Sequence, residues 1–186
     1  MAQLRRMSAE RRPPRKTLAP LDAAALDRLA LRYVERFATT RGKLADYLRR
    51  KIRERGWEGA AADPAAVAER MAALGYVDDR AWAEARAGAL ARRGLGGRRV
   101  ADDLRTARVD ETGRAELAPS IDARAVATAL AFARRRRLGP WGTGEADRAV
   151  REKQLGAMLR AGHAPTLARR ILALPPGSDP DLADFD

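Results

Sequence analysis

The side chains with most chemistry to offer are clustered cations: Arg41 and Lys43, Arg49-Arg50-Lys51, Arg92-Arg93, Arg98-Arg99, and Arg134 to Arg137. Paired guanidinium groups can neutralise phosphates, which gives affinity for a nucleic-acid backbone with little reading of base sequence. Each cluster taken alone also fits a solvated helix face with local Glu or Asp partners, which contributes little. Taken together they favour an anionic surface or an acidic groove as partner, and Arg41, Lys43, Arg49, Arg50, Arg92, Arg93, Arg98, Arg99, Arg134, Arg135 and Arg136 are the candidate binding residues. The formal charge of +12 supports this, although an Arg- and Ala-rich chain also reflects a GC-rich coding sequence.

Catalytic candidates are few. The chain has one histidine, His163, and no cysteine. Disulfides, thiolate metal sites and Cys nucleophiles are therefore excluded, and a single His cannot build a zinc site of the common kinds. His163 is expected to pack as a ring at a helix end. Gly94-Leu95-Gly96-Gly97 is Gly-rich but follows a helix and lacks the Lys-Ser/Thr pair of a phosphate-binding loop, so a tight turn is expected. Asp78-Asp79 and Asp102-Asp103 fall on helix starts or solvated faces, where capping accounts for them better than acid–base chemistry. The expectation is a protein that is not an enzyme and has no metal and no cofactor.

The elements that must position these residues are helices. Ala, Leu, Arg and Glu dominate, β-branched residues are few, and a sheet is disfavoured. Asp22 and Thr40 are N-cap candidates. Leu26, Leu29, Ala30, Tyr33 and Phe37 share one face of the first helix, and Leu44, Tyr47, Leu48 and Ile52 one face of the second. Gly56-Trp57 and Gly75-Tyr76 have the spacing of Schellman endings, with Ile52 and Met71 as contacts. Asp63-Pro64 starts a third helix. Val77, Asp78 and Trp82 have the spacing of a hydrophobic staple around an N-cap, and Asp79 puts negative charge at the helix start. Gly75, Tyr76, Asp78, Asp79, Trp82, Gly94 and Gly96 thus read as a rigid structural corner.

Further along, the fourth helix is expected to turn Trp82, Ala85 and Ala89 inward, and the fifth Val100 and Leu104. A sixth, capped by Asp110 and holding Leu117, is expected to be short and to stop at Pro119. Ile121, Asp122 and Val126 repeat the staple-and-cap spacing ahead of a seventh helix with Leu130 and Ala133. Thr143 is the expected cap of an eighth, with Val150, Leu155, Met158 and Leu159, which closes at Gly162-His163. A ninth starts at Pro165 and carries Leu167, Ala168, Ile171 and Leu172.

Leu44/Leu48, Val100/Leu104 and Leu155/Leu159 occupy equivalent places, so the chain reads as an internal repeat. The fold class is all-α: three tandem three-helix units stacked into an elongated, curved solenoid. The expected divisions are a disordered basic arm at 1–20, units at 21–75, 76–119 and 120–174, and a disordered acidic tail at 175–186. The basic N-terminus has no apolar segment of the kind a secretory signal needs, and no apolar run is long enough to span a membrane.

Gly75-Tyr76-Val77-Asp78-Asp79, followed by Trp82-Ala83 and by Arg92-Arg93-Gly94-Leu95-Gly96, resembles the core motif of the RecX family of recombination regulators. Val100 and Leu104, and Thr40, Leu44 and Leu48, extend the resemblance to roughly residues 22–173. Leu95 stands where an aromatic is common, Arg108 where a glycine is, and His163 where Tyr or Phe is usual. The resemblance implies a small cytoplasmic protein of tandem three-helix repeats, and a monomer is expected. It implies binding along the groove of a RecA–DNA filament, with restraint of its ATPase, strand-exchange and coprotease activities. Direct contact with single-stranded or duplex DNA is left open. The alternative is a helix-turn-helix-type regulator of duplex operators.

Overall fold

Local capping chemistry sets where the helices begin. Asp22 accepts from Ala25 N–H at 2.7 Å and Thr40 from Lys43 N–H at 3.1 Å. Asp63 accepts from Ala65 and Ala66, Asp78 from Ala81, and Asp110 from Gly113. Each carboxylate or hydroxyl satisfies a backbone donor that has no partner in the first turn. The computed structural model describes residues 19–185, so the expected arm at 1–20 lies almost wholly outside the described residues. Nine α-helices follow among them: α1 Ala23–Val34, α2 Arg41–Arg55, α3 Pro64–Ala73, α4 Asp79–Arg92, α5 Gly97–Thr106, α6 Glu111–Asp122, α7 Ala125–Arg136, α8 Arg148–Arg160 and α9 Pro165–Leu172. The described residues contain no strand, only an isolated bridge that ties Leu21 to Trp57 at the end of α2. No helix among them is long and apolar enough to cross a membrane.

The helices pack in threes, each three with its own core. Leu26, Leu44, Leu48, Val67 and Met71 form the first; Ala83, Ala87, Leu90, Val100, Leu104 and Leu117 the second; Leu130, Phe132, Ala133, Met158 and Ile171 the third. Half-buried Leu95 touches both the second and the third. Among the described residues, hydrogen bonds between units join the first to the second and the second to the third, and none joins the first to the third. This is the all-helical repeat architecture that the periodicity predicts.

Several elements differ from expectation for identifiable reasons. In α4 the buried residues are Ala83, Ala87 and Leu90; Ala85 is exposed and Trp82 only half-buried. Val77 is buried in the first core while Trp82 lies against the second, so the corner straddles two cores instead of closing one staple. The α6 helix does not stop at Pro119 but runs on to Asp122, and the unit boundary drawn at 119/120 falls inside it. Proline removes one helical donor. Here Ala115, whose carbonyl loses its partner, is exposed, where water can take the bond. Asp122 is therefore the last residue of α6 and not the cap of α7; Arg124 holds that place without a side-chain bond.

Thr143 does not cap α8; Asp147 does, accepting from Val150 N–H at 2.7 Å. The acidic tail is not a free segment. Phe185 is buried in the third core under the Arg170 guanidinium, 4.9 Å from its ring centroid. Trp141 Nε1 donates to Asp179 at 3.3 Å, and Gly177 N–H donates to the Pro140 carbonyl at 2.8 Å.

Candidate functional site

The two unit junctions use one device. The start of a unit's second helix abuts the end of the next unit's second helix. At the first junction the Thr40 hydroxyl, fully buried, donates to the Ala107 carbonyl. A Cβ on Gly42 would fall 2.1 Å from Arg108 Cβ, so only glycine allows this approach. Arg108 adopts φ +60°, a left-handed conformation that glycine favours; the equivalent Gly162 has φ +93°. At the second junction Gly96 N–H donates to the Ala161 carbonyl at 2.9 Å and Arg98 N–H to the Gly162 carbonyl at 3.2 Å. A Cβ on Gly96 would come within 2.5 Å of Gly162 backbone.

These junctions sort the candidate cations into two groups. Arg41 lies at the first junction and is committed internally. Its guanidinium meets Glu69 at 3.1 Å, Asp79 at 3.2 Å and Asp110 at 3.3 Å, and its backbone N–H donates to Asp79 at 2.7 Å. Hydrogen bonds to Glu69 and then Asp79 hold it still more firmly protonated than an ordinary arginine. It joins α2, α3, α4 and the start of α6. Arg49 pairs with Asp46 at 2.8 Å, and Arg108 shares that carboxylate at 3.1 Å. Arg50 lies 3.7 Å from Glu54. Lys43 sits over the Trp82 ring at 4.6 Å. Of the corner motif, Asp79 makes the contact between units, Asp78 caps α4, and Tyr76, 52% exposed, contributes its N–H to Met71 rather than its ring.

Arg92, Arg93, Arg98 and Arg99 flank the Gly94–Gly97 turn at the second junction. The C-terminal turn of α7 is brought against it: Arg135 donates to the Arg93 carbonyl, and Phe132 lies against Gly94. Gly94 needs its φ of +70° here. Arg92, Arg93, Arg98, Arg99, Arg135 and Arg136 are all exposed, and no carboxylate among the described residues lies within 4 Å of any of them. Arg134 alone in this group approaches one, Asp179, at 4.0 Å. The result is one basic surface assembled from three helix ends. Toward the first junction α5 carries carboxylates as well, and Asp102 pairs with Arg105. There Arg86 grips Asp103 with two bonds of 2.6 and 2.8 Å, which, with the fields of Lys43 and Arg99, holds that carboxyl below its usual range.

His163 is the pin of this junction. It is 2% exposed, its ring lies 5.3 Å from that of Phe132, and Nε2 is 3.1 Å from the Gly94 carbonyl. A carbonyl only accepts, so Nε2 carries the proton. Burial pushes the imidazole below its ordinary value, opposed by the bond to Gly94. The unfolded chain therefore takes up the extra proton first. The contribution of this site is fully present above about pH 6.5 and is lost as pH falls below that value toward the lowered folded one. His163→Phe is expected to cost about 1 kcal/mol at neutral pH through the unpartnered Gly94 carbonyl. It is also expected to show a smaller loss of urea midpoint between neutral and mildly acid pH than the parent. An identical acid dependence would remove His163 from this role.

Sequence reasoning missed the Arg41 carboxylate cage, the Arg86–Asp103 pair and the Arg135 anchor, because each joins residues far apart in the chain. The helix endings, not the leucine stripe, carry the register: Val109 N–H to Leu104 and His163 N–H to Met158 place Arg108 opposite Gly162, so Met158, not Leu159, is the counterpart of Leu104.

No family model matches the sequence, and no curated protein does. Among solved structures the fold is similar to that of RecX from Lactobacillus salivarius, with a TM-score of 0.63 over 80% of this chain and 93% of that one, at 17% identity. The likeness at that identity is one of fold, and the fold is a RecX-like helical repeat.

Proposed function

We propose that the protein is a RecX-type regulator, without enzymatic activity of its own, that binds a RecA–DNA filament in the cytoplasm and restrains its ATPase, strand-exchange and coprotease activities. The observation that carries this reading is the second junction: six exposed arginines without carboxylate partners among the described residues, on a RecX-like scaffold. A filament groove presents phosphates and protein subunits in a repeating array. A protein of repeated units can touch several subunits at once, and many weak contacts then favour filament over free recombinase.

The test is co-sedimentation with RecA assembled on single-stranded DNA, compared with free RecA and with bare duplex. The expected result is preferential recovery with the filament and affinity that falls steeply with added salt. Sequence-specific duplex binding without recombinase would replace this reading with an operator-binding one.

A further inference from the structure

The chain has only nine Phe, Tyr and Trp side chains, and three of them form one row on the first unit. Tyr33 and Tyr47 stack with centroids 4.3 Å apart and planes at 26°, and Phe37 continues the row 5.2 Å from Tyr33, its plane tilted by 47°. The inner rungs rest on the first core, whereas Phe37 lies just past the end of α1 and is 53% exposed. Cations flank the row. The Arg36 guanidinium lies 5.8 Å from the Phe37 centroid; Arg50 and Lys51 lie 5.6 and 5.8 Å from that of Tyr47. Arg50 and Lys51 share a single carboxylate, Glu54, and no carboxylate among the described residues lies within 4 Å of Arg36.

An exposed ring that extends an aromatic row and is flanked by guanidinium and ammonium groups has the chemistry of a base-stacking platform. The rings offer a flat π-surface and the cations answer the phosphates on either side. Only unpaired bases present a free face; in a duplex both faces are occupied by neighbouring base pairs. The second junction is different, since its rings, Phe132 and His163, are buried and it offers charge alone.

We infer that Phe37, with Arg36, Arg50 and Lys51 around the Tyr33–Tyr47 stack, forms a binding site for single-stranded nucleic acid on the first unit. This goes beyond the filament reading and requires no recombinase, so the two can fail separately.

The experiment is fluorescence anisotropy of a labelled oligothymidylate and of a labelled hairpin duplex with the full chain and no recombinase. The single strand is expected to bind more tightly than the duplex. Phe37→Ala is expected to weaken the single strand by about tenfold and to leave the duplex nearly unchanged. Because Phe37 is exposed, helix content by circular dichroism should not move. Phe37→Trp is expected to retain affinity, and its added emission to be quenched by the oligothymidylate. The inference is overturned by a Phe37→Ala variant that binds the single strand like the parent, or that loses single strand and duplex alike. It is equally overturned if no oligonucleotide binds and Phe37→Ala instead dissolves a complex between copies of this chain.

Discussion

Gly96→Ala is expected to destabilise the protein by about 1–3 kcal/mol, the range for forcing an extra methyl into a packed contact. Nothing about the backbone of Gly96 demands glycine, since its φ is −75°. The demand is one of space. An added Cβ would stand 2.5 Å from the Gly162 carbonyl group and 2.6 Å from His163 N, and these are backbone atoms that cannot swing aside. Relief requires the third unit to move away from the second, which stretches the bonds from Gly96 and Arg98 N–H and the His163–Gly94 contact. Gly88→Ala provides the control. Gly88 lies inside α4, where an added Cβ meets only the Arg92 guanidinium at an ordinary 3.5 Å. That change is expected to add about 0.5–1 kcal/mol by restricting the unfolded chain. Urea midpoints of opposite sign, with Gly96→Ala exposing the loop before α9 to protease, are the predicted outcome. Equal midpoints for the two variants would mean that the junction is not tightly packed.

Arg98→Glu with Arg99→Glu is expected to lower affinity for the recombinase filament by tenfold or more, about 1.4 kcal/mol, because two attractive contacts become repulsive. The salt dependence of binding should flatten by about two contacts' worth. The fold should tolerate the change. Both side chains are exposed, the junction uses their backbone, and negative charge suits the first turn of α5. The same reversal at Arg41 would say little about binding, since it would place a carboxylate among Glu69, Asp79 and Asp110. Unaltered filament affinity in the double variant, with unaltered helix content, would take this surface out of the binding account.

The contrast between Arg41 and Arg98 explains how far the sequence could be read. Both stand at the start of a unit's second helix, and nothing local separates them. One is enclosed by carboxylates contributed by α3, α4 and the start of α6; the other faces solvent. Features that depend on four or five consecutive residues were legible: the Asp22, Thr40, Asp63 and Asp78 caps, the Gly75-Tyr76 ending, and the Leu44/Leu48 and Val100/Leu104 stripes. The phase of α4 was not, because a run of alanines carries almost no amphipathic signal and the one large residue, Trp82, lies at the edge of the core. Nor was the length of α6, because the effect of Pro119 depends on whether its lost bond is exposed. The docking of Phe185 was hidden for the same reason as the Arg41 cage: the acidic residues around it suggested solvent, and its partner Arg170 comes from α9.

The most direct test of the account is ATP hydrolysis by RecA on single-stranded DNA with this protein added below stoichiometry. The account predicts a falling rate and shortening filaments. It also predicts that the Arg98→Glu, Arg99→Glu variant requires roughly ten times more protein for the same effect. A hydrolysis rate and filament length that stay constant across the titration would contradict it.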